Sequence, residues 1–250
     1  MQAICSDIHA NLEAFEVVLA DMEKNGVSEV ICLGDIIGYG PNPKECLDLA
    51  RQFDIGIQGN HEQALMVQME STTFNYRARS SLDWTRMQLD MLGPGREENA
   101  RRWDQMAALH ETYATNGNLY VHGTPRDPAS EYLYARDLYR PEKVAQNFSM
   151  IEWVCFVGHT HVPGIFTEDM IYLTPQEVNC RYRLGPKKSI VNVGSIGQPR
   201  DGDIRASYVL WDGDTILFRR LDYPVEKTVA KIRMIAELPD FLAERLQEGR

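Results

Sequence analysis

Paired cysteines are absent from this sequence of 250 residues, and their absence excludes several kinds of site. No two of the five cysteines have the spacing of a Cys-zinc site, an iron–sulfur cluster or a dithiol redox motif. The odd number and the apolar neighbours of most of them predict free structural thiols in a reducing, cytoplasmic setting. The cysteines are Cys5, Cys32, Cys46, Cys155 and Cys180.

Long apolar runs and a surplus of positive charge are also absent. No stretch approaches about 18 apolar residues, and the first residues lack the pattern of a secretory leader, so neither a membrane helix nor a signal peptide is expected. The formal net charge is −10, from 36 acidic and 26 basic residues. This balance argues against a nucleic-acid polymer or an acidic membrane as a partner, while a small basic pocket for phosphate stays compatible with it.

Short apolar runs alternate with amphipathic segments in the first quarter of the chain. Met1–Cys5, Val30–Leu33 and Ile55–Gln58 predict buried strands, each followed by a polar loop. Helices are expected from Leu12 to about Asn25 and from Pro43 to Ala50. This alternation is typical of α/β proteins, in which ligands bind beyond the carboxyl ends of the strands.

The rest of the chain predicts a helical insert followed by more strands. Glycine is scarce between about 63 and 110, where helix formers dominate, and two or three helices are expected. Methionines and tryptophans in this insert are expected to form core, with a dimer face or a substrate cap as the alternative. Strands dominate after Val162, and a helical stretch begins near Val225. We expect one domain over 1–250, of α/β or α+β class.

Five of the six histidines follow predicted strands, together with carboxylate and amide side chains. The pair His159 and His161 follows the apolar run 153–157, and residues two apart in an extended segment project to the same side. The donors are oxygen or imidazole nitrogen, which suits Mn, Fe, Zn, Co or Ni. Seven such ligands are too many for one ion but fit two divalent ions that share a carboxylate and clamp a phosphoryl group. The set is Asp7, His9, Asp35, Asn60, His122, His159 and His161.

The blocks around these ligands resemble the motifs of the calcineurin-like metallophosphoesterases. They read Asp-x-His, Gly-Asp-x-x-Gly, Gly-Asn-His-Glu, His-Gly and Gly-His-x-His, in the family's order and spacing between Cys5 and His161. A sixth stretch, Asn192–Arg200, is similar to the strand and loop that follow the histidine pair in that family. The resemblance implies two packed mixed β-sheets flanked by helices, a four-layer α/β/β/α sandwich, closest to the small prokaryotic phosphoesterases and phosphodiesterases.

The family's roles carry over residue by residue. The resemblance implies that one metal takes Asp7, His9, His161 and the shared Asp35, and the other takes Asp35, Asn60, His122 and His159. It also implies in-line attack by a metal-bridging hydroxide, with Asp35 as the catalytic bridge and Mn²⁺ expected to support activity in vitro. His61 is similar to the residue that contacts phosphate and protonates the leaving oxygen.

The chain departs from the protein Ser/Thr phosphatase branch beside the second motif. Gly38 stands where that branch has a carboxylate that orients the general-acid histidine, and Tyr39 stands where it has a phosphate-binding arginine. What orients His61 is therefore open. We predict that Arg126 and Arg200 replace the missing arginine, and that Tyr39, Asn60 and His61 also contact phosphate.

These observations favour a dinuclear hydrolase of small organic phosphates, either phosphodiesters or phosphomonoesters. The alternatives are a protein Ser/Thr-type phosphatase and a non-catalytic metal-binding scaffold of the same fold. A mononuclear metal sensor or storage protein is a third possibility. The expected partner is a small phosphoester, with no membrane or nucleic-acid polymer, and the insert is the surface through which copies of the chain would associate.

Overall fold

Two six-stranded β-sheets form the centre of the protein in a computed structural model, which describes residues 1–67, 76–93 and 95–250. The strands are β1 (Gln2–Cys5), β2 (Glu29–Cys32), β3 (Ile55–Gly56), β4 (Tyr113–Thr115), β5 (Asn118–Tyr120), β6 (Val154–Val157), β7 (Gly164–Thr167), β8 (Ile171–Leu173), β9 (Arg181–Arg183), β10 (Ser189–Asn192), β11 (Ala206–Trp211) and β12 (Thr215–Leu221). The first sheet has the order β3-β2-β1-β11-β12-β9 and the second the order β4-β5-β6-β10-β7-β8. Both sheets are mixed, as predicted.

Helices flank the sheets and supply the segments between many of the strands. They are α1 (Leu12–Lys24), α2 (Pro43–Ala50), α3 (Asn60–Met66), α4 (Tyr76–Gln88), α5 (Arg96–Ala107), α6 (Pro141–Ser149), α7 (Val225–Arg233) and α8 (Phe241–Glu248), with a short 3₁₀ helix at Ala135–Tyr139. The C-terminal helical stretch is two helices rather than one. Pro239 lies in the connection between α7 and α8, where proline disfavours continuation of a helix from the preceding turn.

The alternation of side chains along the strands produces the layers of the sandwich. In β1, Ala3 and Cys5 belong to the apolar cluster that packs with α1 and α2, while Ile4 points into the cluster between the sheets. In β6, Phe156 faces the same inter-sheet cluster, and Cys155 faces the outer cluster that contains α6. Cys5 and Cys155 thus serve as small apolar side chains on strand faces, and the predicted four-layer arrangement is confirmed.

Parallel pairing brings the ends of several strands to one edge of the sandwich. Strand β1 pairs in parallel with β2, and β2 with β3. In the second sheet β6 pairs in parallel with both β5 and β10. The loops that follow β1, β2, β3, β5 and β6 therefore leave from neighbouring strand ends, and these loops carry the predicted ligands.

The predicted insert contains α4 and α5, which pack against α2 and α3. Met106 and Trp84 are buried, as a core role requires, whereas Met66, Met87 and Met91 are exposed. The prediction for Met69 falls outside the described residues. The expected core role therefore holds for some of these side chains and not for the exposed methionines. The description of the chain as a single domain with an insert stays a prediction.

Within the described ranges, every helix is too short or too polar to span a lipid bilayer.

Candidate metal centre

Left-handed backbone conformation recurs in the loops that carry the predicted ligands. The φ angles are 56° at Asp7, 47° at His9, 52° at Asp35, 60° at His159 and 61° at His161. Such a conformation costs roughly 1–3 kcal/mol at a non-glycine residue and persists where the surroundings enforce it, often at functional sites. Backbone hydrogen bonds enforce it here, since the amide of Asp7 donates to Gly34 at 3.0 Å and the amide of His9 donates to Asp35 at 2.9 Å.

The first group of converging side chains contains Asp7, His9, His161 and Asp35. The Nε2 atoms of His9 and His161 are 3.2 Å apart. Asp7 Oδ1 lies 3.1 Å from Nε2 of His161 and 3.7 Å from Nε2 of His9. Asp35 Oδ2 also lies 3.7 Å from Nε2 of His9. All four side chains are buried, so their polar atoms face one another instead of water.

The second group contains Asp35, Asn60, His122 and His159. His122 Nε2 lies 3.4 Å from Asp35 Oδ2, 3.0 Å from Asn60 Oδ1 and 2.9 Å from His159 Nδ1. Asp35 Oδ2 thus approaches an imidazole nitrogen of each group. Sequence reasoning divided the seven predicted ligands into the same two groups, with Asp35 in both.

Backbone carbonyls determine which nitrogen of each ring carries its proton. In each neutral ring, the nitrogen that faces a carbonyl must be the donor, which leaves the other nitrogen as an acceptor. The contacts are His9 Nδ1 to Ile37 O (3.0 Å), His161 Nδ1 to Gln198 O (2.6 Å), His122 Nδ1 to Leu33 O (2.9 Å) and His159 Nε2 to Ser130 O (3.1 Å). When all four rings are neutral, as metal ligands are, the facing nitrogens of both pairs therefore carry lone pairs.

Facing lone pairs repel each other unless a cation lies between them. Oxygens of Asp7, Asp35 and Asn60 point at the same places, and Asp7 Oδ1 is buried with no hydrogen bond from any described residue. Histidine ligands of metals commonly donate their other N–H to a carbonyl or carboxylate, as these four do. The donor set consequently fits divalent metal ions, and the candidate ligands are the seven predicted ones.

The pKa values of three of the four imidazoles and of Asp35 suit metal binding, which needs neutral imidazoles and ionised carboxylates. Burial lowers the pKa of His159 to about 3 and lowers the pKa values of His9 and His161. Burial would raise the pKa of Asp35, but the neighbouring His122 outweighs it, and the pKa is held well below its usual range. Burial also lowers the pKa of His122, but the neighbouring Asp35 outweighs it and raises that pKa to about 9, so His122 must release a proton when it binds a metal ion.

Glu62 connects two of the ligand loops. Its carboxylate is fully buried and accepts backbone N–H groups from Asp35 and Gly59 through Oε2, and from Ile36 and Ile37 through Oε1, at 2.8–3.2 Å. Burial and the charge of Asp35 raise its pKa to about 7 despite these bonds. This carboxylate therefore joins the Asp35 loop to the Asn60 loop.

Glu62→Gln is expected to lower the free energy of unfolding by about 2–4 kcal/mol, because an amide NH₂ would face two buried N–H donors. Urea denaturation followed by circular dichroism measures the change. Glu16→Gln, at an exposed position of α1, is the matched control and should change stability by less than about 0.5 kcal/mol. A Glu62→Gln protein as stable as this control would contradict the role of the carboxylate.

Neighbouring rings pack against His61, and its Nε2 lies 4.0 Å from Asp35 Oδ2. The ring makes edge contacts with His9 at 4.8 Å and with Tyr39 at 4.6 Å between centroids. Gly38 has a φ of +86°, and a Cβ there would overlap Nδ1 and lie 2.8 Å from Cε1 of His61. The His61 ring therefore occupies the space that a side chain at position 38 would need.

An open cavity of about 350 Å³ lies over the two ligand groups. Arg200 lines it and donates two hydrogen bonds to Gln198 Oε1, and its Cζ lies 5.8 Å from the centroid of the Tyr39 ring. The full lining is Asp35, Tyr39, Asn60, His61, Ala78, Ser130, Tyr132, His159, His161 and Arg200. Among the residues predicted to bind phosphate, Tyr39, Asn60, His61 and Arg200 thus meet at one cavity.

Arg126 is the predicted phosphate ligand that does not line this cavity. Its guanidinium forms an ion pair with Glu131 at 3.0 Å and donates to Gln146. The sequence placed Arg126 in the correct loop, but a carboxylate five residues later in that loop turns the side chain to a different partner. We therefore leave Arg126 out of the phosphate site described below.

Tyr132 and Ser130 are site residues that sequence reasoning missed. The Tyr132 ring stacks on the His159 ring with centroids 3.8 Å apart and planes 22° apart. Ser130 contributes its backbone carbonyl to His159, which no side-chain pattern can reveal. The sequence signal that could have identified Tyr132 was its position in the polar loop between two ligand blocks.

Comparisons with known proteins agree with this geometry. The sequence model described as the calcineurin-like phosphoesterase superfamily domain matches residues 1–215. An uncharacterised protein of Methanocaldococcus jannaschii is 33% identical over 255 residues, covering 100% of this chain and 98% of its own. A metallophosphoesterase structure from Sphaerobacter thermophilus has a TM-score of 0.83 at 37% identity, covering 100% and 98%. A hypothetical protein from Pyrococcus horikoshii has a TM-score of 0.72 at 18% identity, covering 100% and 99%.

Proposed function

The chain belongs to the calcineurin-like phosphoesterase superfamily, and on this premise we propose that it is a dinuclear metal-dependent hydrolase of small organic phosphates. The proposal rests on two pairs of facing imidazole nitrogens, His9 with His161 and His122 with His159. Carboxylate or amide oxygens lie beside each pair, and Asp35 Oδ2 approaches one nitrogen of each. Asp7, His9 and His161 would hold one ion, Asn60, His122 and His159 the other, and Asp35 would contact both.

Bound ions would supply Lewis acidity, which lowers the pKa of water and neutralises charge on a phosphoryl group. The residues of the chain would position the ions and the phosphate. Asp35 and Glu62 hold the two groups at a fixed separation, because the Asp35 carboxylate also accepts the backbone N–H of His61 at 2.9 Å. Arg200, Tyr39 and Asn60 line the cavity from different sides and would orient the phosphate oxygens.

His61 is the residue proposed to donate a proton to the leaving oxygen. Burial lowers its pKa to about 4, Asp35 opposes this effect, and Arg200 adds to it. The negative charge of a bound phosphate would raise this pKa, because a nearby anion favours the imidazolium. Binding of the substrate would therefore prepare His61 as a general acid.

The surroundings of the cavity support small phosphoesters over phosphoproteins. The His61 ring fills the space beside Gly38, so the orienting carboxylate of the protein Ser/Thr phosphatases has no room at that position. The acidic net charge of −10 argues against a nucleic-acid polymer as the substrate.

Association of copies through the insert and a cytoplasmic location stay predictions. The second is supported by the five cysteines, which are all free thiols.

An activity panel tests the proposed function. Purified protein is freed of metal with a chelator, reloaded with Mn²⁺, Fe²⁺, Zn²⁺, Co²⁺ or Ni²⁺, and assayed with nitrophenyl phosphate and bis(nitrophenyl) phosphate. We expect hydrolysis of at least one substrate that disappears on chelation and returns with metal, Mn²⁺ being favoured. Protein that binds two ions and hydrolyses neither substrate would instead support the non-catalytic scaffold.

A further inference from the structure

A second open cavity, of about 450 Å³, lies next to the one over the ligand groups. It is lined by Tyr39, Tyr76, Arg77, Phe241, Leu242 and Arg245, from the Asp35 loop, the start of α4 and the start and middle of α8. Tyr39 lines both cavities, so the two are neighbours across one aromatic ring. We call the second cavity the annex.

Two arginines line the annex, and Arg200 stands at its junction with the first cavity. The Arg77 guanidinium lies over the Phe241 ring, with Cζ 3.6 Å from the centroid, and Cζ of Arg245 lies 5.5 Å from the same centroid. Cζ of Arg200 lies 5.8 Å from the centroid of Tyr39. When the flat face of a guanidinium lies against an aromatic ring, its N–H groups still point outward from its edge, where they can bind an anion.

Neither Arg77 nor Arg200 forms an ion pair with a side-chain carboxylate of the described residues. Arg200 donates to Gln198, and Arg77 lies over the Phe241 ring. Arg245 donates to the main-chain oxygen of Arg250, the last residue, at 2.7 Å. Other arginines of the chain are paired, as Arg102 is with Asp48 and Arg219 with Asp21. A cluster of three arginines without side-chain carboxylate partners among the described residues, at a cavity in an acidic chain, has the electrostatic character of an anion site.

The charges at the annex also act on one another. Burial lowers the pKa of Arg245 to about 10, and the positive charges of Arg200 and Arg77 contribute to that decrease. The guanidinium stays protonated at neutral pH, so the repulsion is retained in the folded protein. A bound anion would relieve it.

We propose that the annex binds a second phosphate on the leaving group of the substrate, so that the preferred substrates are organic bisphosphates. This inference rests on the proposed function of the neighbouring metal centre. Arg77 and Arg245 would bind the second phosphate, while Arg200 stays with the phosphate that is cleaved. Phosphate suits the site better than a planar ring, because Arg77 already covers one face of Phe241, and several cations match a dianion.

Matched substrates test the proposal. The value of kcat/KM is measured for fructose 1,6-bisphosphate against fructose 6-phosphate, and for adenosine 3′,5′-bisphosphate against adenosine 5′-monophosphate. We expect the native protein to prefer at least one bisphosphate by about tenfold or more. The Arg77→Gln/Arg245→Gln double variant should lose most of this preference, mainly through a KM for the bisphosphate that rises about ten- to hundredfold. Its kinetics with nitrophenyl phosphate should change less than about twofold.

Arg79→Gln is the matched control, since Arg79 is an exposed arginine on the same helix that pairs with Asp83. Equal use of mono- and bisphosphates by the native protein, or equal losses on both in the double variant, would overturn the proposal. If no phosphoester is hydrolysed, the proposed function fails separately. Calorimetric titration of the metal-loaded protein with each bisphosphate then tests the annex alone, and affinity unchanged in the double variant would refute it.

Discussion

Asp35→Asn is expected to lower metal-dependent hydrolysis of nitrophenyl phosphate by at least about a thousandfold. Asparagine has nearly the same shape and keeps the oxygen that accepts the N–H of His61. It removes the charge that lies 3.7 Å from Nε2 of His9 and 3.4 Å from Nε2 of His122. Both ligand groups lose their shared anion, so we expect weaker binding of both ions and fewer than two bound ions per chain. Steady-state kinetics and elemental analysis measure the two effects.

Asp169→Asn is the control for this variant, because Asp169 is an exposed carboxylate that pairs with Lys187 on the surface. It should retain full activity and full metal content. Asp35→Asn protein that folds normally and keeps more than a tenth of the native activity would show that Asp35 is not the shared ligand.

Gly38→Ala is expected to lower kcat by about a hundredfold while the metal content stays unchanged. A methyl group at position 38 would overlap the His61 ring, and the φ of +86° adds strain for any residue with a Cβ. The ring must move away from the cavity, which removes the proposed proton donor, and loss of a general acid costs about 10²–10⁴-fold. The proposed ligands do not include His61, so both ions should stay bound.

Gly213→Ala is the control that has the backbone strain of Gly38→Ala but not its collision with a neighbouring ring. Gly213 has a φ of +99° in the β11–β12 turn, and nothing lies within 4 Å of a Cβ placed there. This control should lose some stability but keep the native kcat. A Gly38→Ala enzyme with native kcat, or one that has lost its metal, would contradict the placement of His61.

The convergence of the predicted ligands could be foreseen because strand topology decides which loops meet. Asp7, Asp35 and His122 follow short apolar runs, and neighbouring parallel strands bring such loops to one edge. The layers were predictable for the same reason, because alternation along β1 and β6 assigns each side chain to a face. Local patterns of hydrophobicity and turn residues contain this information.

Features that depend on contacts distant in sequence were not predictable. Arg126 lies in the expected loop, yet Glu131 and Gln146 decide where its guanidinium points. The four N–H groups that Glu62 accepts come from two loops, and only the folded chain brings them together. The short strands β4 and β9 have too few residues for a recognisable period, and they form at sheet edges because a neighbour offers backbone partners.

Elemental analysis of the reconstituted protein tests the dinuclear centre most directly. The chain and its His122→Ala variant are loaded with excess Mn²⁺, dialysed against metal-free buffer and analysed for metal per chain. The two ligand groups predict two ions for the native chain, and one for the variant, which leaves Asp7, His9, His161 and Asp35 intact. A native chain that holds one ion, and a variant that holds the same one, would contradict the account.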